Sequence, residues 1–72
     1  MTAQPVPISR APITLGQFLK LASVAEDGAH AKELLESPGA TVNGEPESRR
    51  GRQLQDGDVV AVAGETLRVA VE

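Results

Sequence analysis

The sequence predicts an α+β fold, two N-terminal helices packed on a small, mostly antiparallel sheet, and three observations carry that expectation. Apolar residues recur at helical spacing, first at Leu15, Phe18, Leu19 and Ala22, then at Ala31, Leu34 and Leu35. After Gly39 the pattern changes to that of short strands. Asn43-Gly44, Asp56-Gly57 and Ala63-Gly64-Glu65 then separate those strands with turn-forming residues.

Met1 to Pro12 holds Pro5, Pro7 and Pro12 without periodic apolar residues, a composition that favours an extended, mobile tail. The domain is therefore expected over residues 13–72, with 1–12 as the tail. Thr14-Leu15-Gly16-Gln17 fits a capping box, in which the Thr hydroxyl and the Gln side chain satisfy each other's backbone N–H groups. Ile13 and Phe18 fit the accompanying hydrophobic staple, so a helix is expected from about Leu15 to Val24. A second helix is expected from about Gly28 to Glu36, capped by Asp27, with His30, Lys32, Glu33 and Glu36 on its open face. Ser37-Pro38-Gly39 stops it, because proline cannot continue a helix.

Ala40 to Val42 and Glu45 to Glu47 flank Asn43-Gly44 as a two-residue hairpin, and Pro46 makes the return strand an edge. Val59 to Val62 and Thr66 to Val71 follow, the last with Leu67, Val69 and Val71 on one face and Thr66, Arg68 and Ala70 on the other.

Seventy-two residues make one small domain with a thin core and little room for a deep pocket. Cysteine is absent, which excludes disulfides and thiolate metal sites and fits an intracellular protein. Neither a signal peptide nor a run of ~20 apolar residues is visible, so a cytoplasmic protein with no membrane partner is expected. The net charge is -3, but it is unevenly spread. Arg49, Arg50 and Arg52 lie within four residues, between two stretches that are each net acidic.

Three guanidinium groups beside Gly51 suit phosphate oxygens, and Lys20, His30 and Lys32 extend the same cationic surface. The competing reading pairs the arginines with Glu45, Glu47, Asp56 or Asp58 at ~0 to 1 kcal/mol per exposed pair. Phe18 is the one aromatic residue and the staple assigns it to the core, so base stacking on rings is not expected. Recognition of nucleic acid would then run through phosphates, sugar hydroxyls and shape. No nucleophile with its base can be assembled around Ser9, Ser23, Ser37, Ser48 or the lone His30, so no catalytic residue is expected. Asp56-Gly57-Asp58 offers too few ligands for a calcium loop and reads as a turn; neither metal nor cofactor is expected.

The ordered words "ITLGQFLKLA", "GAHAKELL", "TVNGEPESRRGRQL" and "DGDVVAV" resemble the RNA-binding domain named for small-subunit ribosomal protein S-four, the αL motif, and most of all its stand-alone bacterial members. The resemblance spans Ile13 to about Val71 and departs from the usual family pattern at Pro38, Ala40 and Gln53. It implies a binder of structured RNA, ribosomal or transfer RNA, in or near the ribosome; a monomer is expected. It also implies contact through Lys32, Asn43, Arg49, Arg50 and Arg52, with His30 as a lesser candidate. Changing the three arginines together to Glu is expected to abolish binding with little change in thermal stability. The rival is a protein-binding adaptor that uses the Ala40–Val42 or Thr66–Val71 strand edge, or the acidic surface.

Overall fold

The structure is a computed structural model that describes residues 3–72. In chain order it contains β1 (Gln4–Ile8), β2 (Ile13–Thr14), α1 (Leu15–Leu21), α2 (Gly28–Glu36), β3 (Ala40–Val42), β4 (Glu45–Glu47), β5 (Gln53–Leu54), β6 (Val59–Val62) and β7 (Glu65–Val71). One five-stranded sheet runs in the order β1-β7-β6-β3-β4, and β2 pairs with β5 in a separate two-stranded sheet. All pairings are antiparallel except β1 with β7.

The N-terminal expectation needs correction: strands, not helices, come first, and Gln4–Ile8 is a strand rather than a tail. Residues 1–2 of the expected tail lie outside the described residues. Val6 and Ile8 enter the core, and Ile8 accepts a backbone hydrogen bond from Glu72 at 3.0 Å. Amides two apart on a strand point the same way, so Gln4, Val6 and Ile8 face β7 while Pro5 and Pro7 face outward. The prolines that suggested a loop instead sit where an edge strand has no hydrogen bond to lose.

The same device closes the other edge. Asn43 (φ 52) and Gly44 (φ 86) turn β3 into β4 with both angles positive, the conformation that two-residue hairpins prefer. The resulting register places Pro46 opposite Thr41 in a pair without ladder bonds, so β4 is an edge, as expected. The strands named as open edges are not: β3 lies between β6 and β4, and β7 lies between β1 and β6. Adaptor binding by strand addition at those two places is therefore excluded.

The helix starts agree with the sequence. Both halves of the Thr14/Gln17 capping box form, and the Asp27 side chain accepts from the His30 N–H at 2.8 Å. Helix α1 is shorter than expected, because Ser23 (φ 62) turns the chain left-handed and the Val24 and Ala25 N–H groups both fold back on the Leu19 carbonyl. Helix α2 ends at Glu36, where Gly39 takes φ +92 and donates to the Leu34 carbonyl at 2.8 Å; a side chain there would be strained. Leu15, Phe18, Leu19, Ala31 and Leu35 pack with Val42, Val60, Leu67 and Val69 into one core. No helix among the described residues is long and apolar enough to cross a membrane.

Candidate nucleic-acid interface

The segment Ser48–Arg52 links β4 to β5, and the pairing of β5 with β2 carries it across the start of α1. Its carbonyls do what a capping side chain would do: Leu15 N–H donates to Arg52 O at 2.8 Å and Gly16 N–H donates to Arg50 O at 3.0 Å. With Thr14 Oγ1 accepting from Gln17 N–H, the first turn of α1 is satisfied internally. The loop thus spends its backbone on the helix and leaves Ser48, Arg49 and Arg50 exposed.

Arg50 lies between the two helices. A Cβ on Gly16 would meet Arg50 Cβ at 3.4 Å and a Cβ on Gly28 would meet Arg50 Nη1 at 3.6 Å, while Nη1 donates to the Gly28 carbonyl at 3.4 Å. A Cβ at Gly16 would just reach van der Waals contact with the Arg50 stem, so the helix and the loop lie close together here. Residues four apart share a helix stripe, so Lys20 follows Gly16 along α1 and Lys32 follows Gly28 along α2. Lys20, Lys32 and Arg50 are all exposed, and none makes an ion pair among the described residues. These three cations share one side of the helix pair.

Arg49 and Arg52 behave differently. Glu47 is the one buried acidic residue among those described, because the hairpin register sets it opposite Ala40 on the core side of β4. Its Oε2 accepts from the Ser48 and Arg49 backbone N–H groups and from Arg49 Nε at 3.1 Å. Its Oε1 accepts from Arg49 Nη2 at 3.2 Å and Arg52 Nη1 at 2.8 Å. Hydrogen bonds from Arg49 and then Arg52 hold its carboxyl at about 2, below the ordinary 4.5, and Glu47 in turn raises Arg49. The pairing reading therefore holds for two arginines, and the segment Glu47–Arg52 is left with a net charge of +2. It also corrects the expected effect of a triple change to Glu, which would place new carboxylates against Glu47 and disturb the loop itself.

The remaining candidates are more committed to the fold than their exposure suggests. Asn43 Nδ2 donates to Asp58 Oδ1 at 3.1 Å, its Oδ1 accepts from Val59 N–H at 2.9 Å, and its backbone N–H donates to Val59 O at 2.7 Å. The resemblance names Asn43 as a contact; its amide ties the β3–β4 turn to the start of β6. His30 Nδ1 accepts from Glu26 N–H at 3.0 Å, which needs its lone pair and leaves Nε2 as the outward donor. Asp56 and Asp58 are turn residues, as expected: Asp56 Oδ1 accepts from Val71 N–H and Asp58 Oδ2 from Gln55 N–H, each at 2.8 Å. No group of three metal-ligating side chains occurs among the described residues.

Glu47 and Gly16 are the site residues that the sequence reading left unassigned. In the sequence Glu47 is one of four acidic residues within reach of the arginines, and the two-residue turn forces it inward beside Ala40. Gly16 carried no signal, since its contact is with a residue 34 positions away.

Comparison with known proteins agrees with the geometry. The family model described as "S4 domain" matches residues 6–70, which includes most of β1. The chain is 52% identical over 62 residues to the "Probable ribosome maturation protein RlbA" of Bacillus subtilis (strain 168), covering 86% of this chain and 87% of that protein. A small mixed sheet under two helices, an arginine loop laid over the first helix, and a match along nearly the whole chain lead to one conclusion: this protein belongs to the S4 domain family.

Proposed function

We propose that the protein binds structured RNA, ribosomal or transfer RNA, as a monomer in ribosome maturation or translation, and that it acts by binding rather than catalysis. Arg50 flanked by Lys20 and Lys32 carries this reading: three exposed cations on one side of the helix pair, in a chain that is acidic overall. Family membership and the name of the Bacillus relative support it. Arg49 and Arg52 add one net charge after Glu47 is counted. The acidic remainder of the surface opposes approach in other orientations, which favours one docking side.

Roughly four effective cations predict a slope of about -3 to -4 when the logarithm of affinity is plotted against the logarithm of salt concentration. The test is binding of purified ribosomal subunits, transfer RNA and polyuridylate across a salt series. The wild type is expected to prefer a folded RNA with that slope, and the triple variant Lys20→Gln, Arg50→Gln, Lys32→Gln to lose the binding while melting as the wild type does. Equal affinity for the triple variant would refute the assigned face. Recovery of a protein partner without RNA, at high salt, would refute the RNA reading.

A further inference from the structure

Phe18 is fully buried, so no ring is available to hold an unstacked base. Bases splayed out of structured RNA also stack on arginine planes, and Arg49 is built for this role. Two parallel bonds to Glu47, Nε to Oε2 at 3.1 Å and Nη2 to Oε1 at 3.2 Å, fix its guanidinium in a fork-to-fork arrangement. Arg49 is nevertheless 75% exposed, so the plane is held at its edge and open on its surface. A free arginine would lose rotamer entropy on stacking; this one has already lost it.

Beside this plane lies a cleft of about 280 Å³, just under the volume at which pockets for drug-sized ligands begin. Buried Leu35 and Ala40 form its floor, and exposed Pro46, Ser48 and Arg49 form its rim. All five hydrogen bonds that Glu47 accepts come from the protein, so its carboxylate is not free to read a base edge. The Ser48 hydroxyl makes no hydrogen bond among the described residues and joins Glu47 and Arg49 as the polar part of a lining whose apolar part is Leu35, Ala40 and Pro46.

Building on the RNA-binding reading above, we propose that Arg49, clamped by Glu47, and the cleft over Leu35 and Ala40 form a site for one unstacked nucleobase of a folded RNA, whose flanking phosphates lie on the arginine loop. Positive charge next to a slot with an apolar floor and a polar rim matches a nucleotide, which joins an anionic phosphate to a flat ring with polar edges. Glu47 is then a positioning residue, since it acts on the base through Arg49.

Two variants on the full chain test this, measured with ribosomal subunits in the same salt series. Arg49→Lys keeps the charge but has no plane, and is expected to weaken binding about fivefold or more at every salt concentration with the slope unchanged. Ala40→Val fills the floor with a residue that strands favour; it is expected to keep or raise the melting temperature while weakening binding to a similar degree. Wild-type affinity in either variant overturns the base site while leaving the RNA reading intact. Should Ala40→Val melt lower than the wild type, Arg49→Lys decides alone. A wild type that binds none of the subunits overturns both readings together.

Discussion

The two ends of β4 make different use of polar residues. At one end the Asn43-Gly44 turn directs the Asn43 amide inward, to Asp58 and the Val59 N–H, so the side chain is spent on joining two hairpins. At the other end the Ser48–Arg52 loop spends its carbonyls on the α1 N-terminus, gathers Arg49 and Arg52 on Glu47, and leaves the Arg50 guanidinium facing solvent. Exposure alone does not separate the two, because Asn43 and Arg50 are both exposed. What separates them is where their donors and acceptors are already committed, and this is what makes one end a brace and the other a contact surface.

Breaking the clamp between these ends should have the largest effect. Glu47→Ala removes the acceptor for two backbone N–H groups and two arginines, so we expect a melting temperature several degrees lower and weaker RNA binding together, read by thermal denaturation and a binding titration. The same residue sets an acid limit. The folded Glu47 carboxyl sits at about 2, below 4.5, so its contribution is complete above 4.5 and is lost as pH falls toward 2. A carboxyl resonance of Glu47 that titrates near 4.5 in the folded protein would show that the clamp is absent in solution.

Asn43→Ala comes next and sharpens the contrast. Loss of its two side-chain bonds, with alanine left at a positive φ, should lower stability by about 1–2 kcal/mol in denaturant titrations. RNA affinity measured well below the unfolding range should stay within twofold of wild type, roughly the limit of such comparisons. A selective loss of affinity would place Asn43 on the RNA after all.

Thr14→Ala removes the capping oxygen under the arginine loop and should cost about 1 kcal/mol of stability. The smallest expected effect is a gain. Ala63-Gly64 closes β6 and β7 with the same pair of positive angles as Asn43-Gly44, but with alanine at φ 52. Ala63→Asn should therefore stabilise the chain by about 0.5–1 kcal/mol, and its RNA affinity should be unchanged.

Much of the fold was legible because it rests on short-range chemistry. Thr14 and Gln17 bond across three residues, as do Asp27 and His30, and each of these caps is visible in a window of four letters. The Asn43-Gly44 turn set the β3–β4 register for the same reason. The N-terminal strand is not legible locally, because Pro5 and Pro7 look like loop residues in isolation; only pairing with β7, more than sixty residues away, shows that their missing N–H groups face outward. Strands β2 and β5 are two residues each and carry no periodicity to detect.

For the candidate site, the cluster of arginines and the exposed lysines could be located from the letters, but not their division of labour. By itself the sequence determined the helix caps, the hairpin turn and the concentration of charge at Arg49–Arg52, since each depends on residues within a few positions of one another. Only the tertiary structure decided that Arg50 lies between Gly16 and Gly28, that Arg49 and Arg52 share Glu47, and that a cleft opens beside them. Those outcomes depend on which distant segments meet, and hydrogen-bonding capacity near any one residue is satisfied by whichever partner the folded chain brings within reach.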